Sequence, residues 1–107
     1  MKLSELCEKL SLQIVCGDVE REFCGVYAGD LLSRAMSHVK FDNLWLTIMA
    51  NTNVIAVASL TEAAAVILAE GVELLPEALE AARENDITVL SSEMTVYDLC
   101  VKISEVS

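Results

Sequence analysis

The sequence has few basic residues, and this limits its partners. Only seven lysines and arginines stand against 17 acidic residues, so the formal net charge of the 107 residues is −10. Binding to a phosphate backbone requires clustered Lys and Arg side chains, and the sequence contains no such cluster. We therefore expect neither nucleic acid nor an anionic membrane surface as a partner.

Long apolar runs are also missing. The longest candidate, NVIAVASLTEAAAVILAEG (53–71), is interrupted by Thr61 and Glu62 and falls short of a membrane helix. Near the N-terminus, Glu5 and Glu8 interrupt the stretch that a signal peptide would keep apolar. The four cysteines form no CxxC pair, and without a signal peptide we expect no disulfides. These absences predict a cytoplasmic protein with no membrane partner.

Known catalytic and metal-binding motifs are absent as well. There is no GxxxxGK[ST] phosphate loop and no GxGxxG fingerprint, and the one histidine, His38, has no nucleophile and base arranged around it. Cys7 and Cys100 fall on the apolar faces of predicted helices, where cysteine behaves as a small hydrophobic residue. We therefore expect no metal, no cofactor and no catalysis by this chain alone. A phosphoryl-transfer enzyme, or a metal or redox accessory protein using Cys16 and Cys24, are the alternatives.

What the sequence has in abundance is apolar residues. They make up 54% of the chain, and the mean hydropathy is +0.49. A chain of this length forms one domain and can bury a core without disulfides or metals. A surface for self-association would hide the surplus of apolar side chains, so we expect a homodimer.

The apolar pattern predicts alternating strands and helices over residues 1–107. Helices are expected at 3–10, after Asp30, after Asn53, from Pro76, and after Thr95, because residues of these types begin helices. Strands are expected at 12–17, 23–29, 43–50, 64–71 and 87–92. The later strands are apolar throughout, which is typical of a parallel sheet covered on both faces. The predicted fold is a single α/β domain, a three-layer α/β/α sandwich with a mostly parallel sheet.

In such sheets, ligands bind beyond the carboxyl ends of the strands, where polar loops lead into helices. The stretch 51–53, Asn-Thr-Asn, holds more polar side chains than a cap requires, and Tyr27 adjoins the turn at Gly29. Taken singly, each of these residues is also explained as a cap or turn residue. The predicted ligand-binding residues are Tyr27, Gly29, Asp30, Asn51, Thr52, Asn53, Ser91 and Ser92.

Three segments resemble the DRTGG domain family: GDVEREFCGVYAGDLLSRAM, LWLTIMANTNVIAVASL and AAVIL. Asp18, Arg21, Gly25 and Gly29 stand at four of the spaced positions that name the family, and Cys24 stands where a threonine is expected. The resemblance covers nearly the whole chain. It implies an α/β fold similar to the N-terminal domain of HPr kinase/phosphorylase, without the kinase domain. Related domains occur beside CBS domains as regulatory or ligand-sensing parts.

The resemblance and the residue pattern together suggest roles for the motif. We expect Gly25 to permit close packing, Gly29 to allow the sharp turn from strand to helix, and Asp30 to cap that helix. Arg21 is expected to pair with a nearby acid such as Asp18 or Asp30, with anion binding as the alternative. The predicted function is a non-catalytic regulatory module that binds a small molecule or a partner protein at the carboxyl edge of its sheet.

Overall fold

Strands and helices alternate along the chain, as the apolar pattern predicts. The structure, a computed structural model, describes residues 1–107. Its elements in chain order are α1 (Leu3–Leu10), β1 (Gln13–Cys16), β2 (Val26–Ala28), α2 (Leu32–His38), β3 (Leu44–Thr47), α3 (Thr52–Thr61), β4 (Ala65–Leu68), α4 (Pro76–Glu84), β5 (Val89–Ser91) and α5 (Val96–Val106). The longest helix, α5, has 11 residues, and no helix is long and apolar enough to cross a bilayer.

The five strands form one sheet in the order β1-β5-β4-β3-β2. Strands β2 to β5 run parallel, and each is joined to the next by one helix. Strand β1 pairs with β5 in the antiparallel direction and is the edge strand on that side of the sheet, opposite to β2. The predicted α/β architecture with a mostly parallel sheet is therefore confirmed.

Two separate apolar cores lie on the two faces of the sheet. One core joins Leu44, Leu46 and Ile67 of the sheet to residues of α1 and α5. The other joins Trp45 and Val66, which alternate with them, to residues of α2, α3 and α4. Because successive strand residues point to opposite faces, only strands that are apolar throughout can serve both cores. All four side chains of β3 and of β4 are buried, which explains why Thr47 is the one polar residue in the two strands.

The cap of α3 differs from the prediction, and the cap of α5 agrees with it. Asn51, not Asn53, caps α3: its side-chain oxygen accepts hydrogen bonds from the backbone amides of Asn53 (3.1 Å) and Val54 (3.3 Å). The predicted position was wrong because Thr52 already has helical geometry, which moves the cap two residues earlier. Thr95 caps α5 by accepting a hydrogen bond from the amide of Asp98 at 3.1 Å.

Candidate functional site

The loops that follow β2 and β3 lie side by side at the carboxyl edge of the sheet. This follows from the parallel pairing of the two strands, in which Ala28 stands opposite Leu46. One oxygen of Asp30 accepts hydrogen bonds from the Thr47 hydroxyl (2.7 Å) and the Ile48 amide (3.0 Å). The structure thus brings the predicted Asp30 and Asn51 loops to one edge.

Asp30 does not cap α2, contrary to the prediction. Helix α2 begins at Leu32, and its N-cap position, Leu31, offers no side-chain acceptor. The Asp30 carboxylate turns toward β3 instead, because the buried Thr47 hydroxyl needs an acceptor there. Gly29 is fixed in the same loop, since its carbonyl accepts a 3.0 Å hydrogen bond from the indole of Trp45.

Gly29 was predicted to allow a sharp turn from strand to helix, but its φ angle is not positive, so the turn does not depend on the conformational freedom of glycine. Positive φ angles occur at three other glycines, Gly17, Gly25 and Gly71. A Cβ atom at Gly29 would lie 3.1–3.4 Å from the ring and hydroxyl of Tyr27, so glycine here leaves room for a side chain. The side chains of Thr52 and Asn53 are exposed and make no hydrogen bond within the chain.

A concavity lies at the other half of the same edge, between the ends of β4 and β5. The chain leaves β4 toward α4 on one face of the sheet and leaves β5 toward α5 on the opposite face. Where the chain leaves two neighbouring parallel strands toward opposite faces of the sheet, a crevice opens beyond the carboxyl ends of those strands. Proteins with α/β sheets bind ligands in this crevice. The crevice encloses about 650 Å³ and is called the β4–β5 cleft below.

The walls of the β4–β5 cleft come from three parts of the chain. The loops after β4 and β5 are tied together by the Gly71 amide, which donates to the Ser92 carbonyl at 2.9 Å. Gly71 has φ +70°, a backbone conformation that favours glycine, and the Glu93 carboxylate lies where a Cβ atom of residue 71 would be. The start of β1 forms the third wall, because this antiparallel strand brings its amino end to the carboxyl edge. The polar side chains of the cleft are those of Ser11, Gln13, Glu73, Ser91, Ser92 and Glu93.

The predicted ligand-binding residues therefore divide into two groups. Ser91 and Ser92 line the β4–β5 cleft, whereas Tyr27, Gly29, Asp30 and 51–53 do not. Glu93 could be placed at the edge from the sequence, because it follows a predicted strand. Ser11 and Gln13 could not, since nothing local to β1 indicates that it lies antiparallel beside β5.

Three residues of the DRTGG-like motif, Asp18, Arg21 and Gly25, precede β2 and lie at the opposite, amino edge of the sheet, whereas Gly29 follows β2 at the carboxyl edge. Arg21 pairs with Asp42 through Nη2 at 2.6 Å and donates to the Glu62 carbonyl at 2.8 Å. Its guanidinium also lies 5.5 Å from the centre of the Phe41 ring. The predicted partners Asp18 and Asp30 were wrong, because Asp30 is at the other edge and Asp18 accepts from the Glu20 amide. Arg21 thus ties the segment before β2 to the turns before β3 and β4.

Ser37 and His38 approach each other at the end of α2, with 2.9 Å between Oγ and Nδ1. Nδ1 also lies 2.9 Å from the Arg34 carbonyl, an acceptor that requires a proton on that nitrogen. A protonated Nδ1 cannot accept the Ser37 proton, and the Ser37 hydroxyl lies within reach of two helix carbonyls. This pair ends a helix and does not activate a nucleophile.

Two of the four cysteines, Cys7 and Cys16, lie in environments that disfavour the thiolate. Burial raises the pKa of Cys7, and burial likewise raises the pKa of Cys16 despite the nearby Arg83 charge. The Cys16 thiol lies 3.4 Å from the Ile87 carbonyl, to which it donates. Since the thiolate is the reactive form, a raised pKa makes Cys16 less reactive than a free cysteine. Cys24 is exposed, and no group of three or more His, Cys, Asp or Glu side chains could hold a metal ion.

No protein-family model and no curated protein sequence matches the chain. Among solved structures, it is similar to the regulatory region of Clostridium perfringens pyrophosphatase, whose CBS and DRTGG domains were crystallised with the activator diadenosine tetraphosphate. The TM-score is 0.79 at 18% identity, over 94% of this chain and 45% of that one. The chain thus spans less than half the length of that structure, and the likeness is one of fold. It agrees with the motif resemblance: this chain has the fold of a DRTGG-like domain.

Proposed function

We propose that this chain is a regulatory module, without catalytic activity of its own, that binds a small molecule at the carboxyl edge of its sheet. The observation that carries the proposal is the β4–β5 cleft, which lies where α/β sheets bind ligands and has the volume of a small-molecule site. The similar structure supports the regulatory role, because it is a regulatory region and not a catalytic one. We also propose that the protein works in the reducing cytoplasm, which its four free thiols support.

Phosphoryl transfer and thiol chemistry are less well supported. The hydroxyl of Thr47 donates to Asp30, which is the arrangement of a nucleophile and a base, but Thr47 is fully buried and no substrate reaches it. The raised pKa of Cys16 argues against redox chemistry. Binding without turnover is the function that these environments favour.

Thermal unfolding in the presence of nucleotides, acyl metabolites and amines tests the proposal. A ligand at a hundred times its Kd stabilises the folded state by about 2.7 kcal/mol, and we expect at least one compound to raise the Tm. Gln13→Trp should abolish that shift, because Gln13 lines the cleft and the indole would fill it. Ile14→Trp is the matched control, since this neighbour on β1 points to the opposite face and is already 51% exposed.

The second group of predicted residues is tested in the same experiment. Thr52→Ala removes an exposed side chain from the loop after β3, and we expect the ligand-induced shift to remain. A shift that is lost in Thr52→Ala and retained in Gln13→Trp would move the site to the Asp30–Asn53 half of the edge. If no compound shifts the Tm, the proposal of a ligand-sensing module is wrong.

We further propose that the protein is a homodimer joined at β2. This strand ends the sheet, so one side of its backbone has no partner strand. Val26 (40% exposed) on β2 and the nearby Leu31 (64%) and Ile48 (41%) add apolar surface there. Light scattering should give the mass of two chains, and Val26→Lys should give one, whereas Ile14→Lys at the other edge should leave the dimer intact. A single-chain mass for the unaltered protein contradicts the proposal.

A further inference from the structure

The β4–β5 cleft presents hydrogen-bond acceptors and no positive charge. None of its 12 lining residues is Lys, Arg or His. Glu73 and Glu93 are among its lining residues, and neither belongs to any of the four ion pairs of the chain. Both residues are exposed, so their charges act on whatever enters the cleft. The remaining polar groups are three serine hydroxyls and the Gln13 amide.

The helices that begin near the cleft do not reverse this charge. The amino end of a helix carries a partial positive charge that favours anions. Helix α4 has Glu77 in its first turn and α5 has Asp98, and each acid offsets the dipole of its own helix. With a net charge of −10 on the whole chain, a negative field extends over this edge. A polyphosphate would therefore be repelled.

The cleft also has apolar lining residues. Five of its 12 lining residues are hydrophobic: Leu12, Val15, Val72, Leu74 and Leu79. An ion surrounded by its hydration shell gains nothing from such residues, whereas an apolar body of a ligand would be removed from water against them. The lining of the cleft thus combines negative charge with apolar surface.

We infer that the ligand of the β4–β5 cleft is a small organic cation, an ammonium or amidinium group carried on an apolar body. The cationic group is held by Glu73 and Glu93, and the apolar body packs against the leucines and valines. This ligand class is the opposite in charge of the nucleotide activator in the similar structure. The inference rests on the proposed function, since it assumes that the cleft is the ligand site.

A matched series of three probes tests the charge preference. 2-Phenylethylamine, 2-phenylethanol and 3-phenylpropionate share an apolar body and differ in having a cationic, a neutral and an anionic end. Titration into the full chain would be followed by ¹H–¹⁵N NMR, with the amides of Gly71 and Ser92 as reporters from the cleft. We expect the amine to bind most tightly and the carboxylate most weakly, with amine affinity falling as salt is raised.

Charge-neutral variants connect the preference to the two acids. In the double variant Glu73→Gln/Glu93→Gln, the amine affinity should fall about tenfold, the size expected when a charge-assisted hydrogen bond is lost. The affinity for 2-phenylethanol should be unchanged, which shows that the cleft is intact. Glu80→Gln is the control, because Glu80 is an exposed acid of α4 outside the cleft.

The outcomes separate the inference from the proposed function. Equal affinities for the three probes, or an amine affinity that the double variant does not reduce, would overturn the inference. Binding of diadenosine tetraphosphate that Gln13→Trp blocks would also overturn it, while leaving the proposed function standing. If no compound perturbs the cleft amides, both the ligand class and the site are wrong.

Discussion

Replacing Trp45 by alanine is expected to lower the free energy of unfolding by about 4 kcal/mol, the usual loss for a fully buried aromatic residue. Trp45 is 0% exposed and packs among residues of the core beneath α2, α3 and α4. Its indole also holds the Gly29 carbonyl, so the variant loosens the loop that carries Asp30. Because domains are stable by only about 5–15 kcal/mol, this loss is large.

Urea unfolding followed by circular dichroism measures the change, since Trp45 is the only tryptophan and fluorescence would be lost with it. Trp45→Phe is the control: it keeps most of the packing and removes the hydrogen bond to Gly29. We expect this variant to lose about half as much stability as the alanine variant. A loss below about 2 kcal/mol for Trp45→Ala would show that the core can collapse around the missing ring.

Gly25→Ala is expected to destabilise the chain by about 2–3 kcal/mol, more than the same change at Gly29. Gly25 has φ +84°, and its added Cβ would lie 2.8 Å from the side-chain nitrogen of Asn43. Asn43 cannot move aside without loss, because it is buried and donates to the Cys24 carbonyl while accepting from the Lys40 amide. The strain of a positive φ angle at an alanine and the close contact of its Cβ with Asn43 therefore both lower the free energy of unfolding.

Gly29→Ala provides the comparison within the motif. Its φ is ordinary for any residue, and the added methyl would meet the far end of the Tyr27 side chain, which can shift. We expect a loss under about 1 kcal/mol, measured by the same urea titration. Equal losses for the two variants would mean that the two glycines serve the same purpose, contrary to their geometries.

Local patterns were sufficient to predict much of the fold. The nearly continuous apolar segments that form β3 and β4 are typical of central strands, and Thr95 before an apolar stripe marks the start of α5. The strand predicted at 23–29 is shorter in the structure, where β2 comprises Val26–Ala28. The backbone amides of Phe23 and Cys24 do not join the sheet; they donate hydrogen bonds to the carbonyls of Met1 and Asp42. Apolar content alone does not distinguish a strand that is hydrogen-bonded in the sheet from an extended segment that only packs against it.

The candidate site depended on longer-range facts. Asp30 has the sequence position of a helix cap, and only the structure shows that a buried threonine from another strand takes its carboxylate. The β4–β5 cleft arises from the order of strands and from α5 crossing to the opposite face of the sheet, neither of which has a local signal. Arg21 was expected to pair with an acid, but the identity of that acid, Asp42, is set by tertiary contact.

Arg21 and Gly25 of the motif lie at the end of the strands opposite to the cleft, and strands of four residues are about 13 Å long. Changes to the segment 71–74 or to the start of β1 therefore alter the lining of the β4–β5 cleft without touching the Arg21–Asp42 pair. New loops could therefore be grafted at the carboxyl edge of the sheet while the Arg21–Asp42 ion pair at the amino edge stays unchanged.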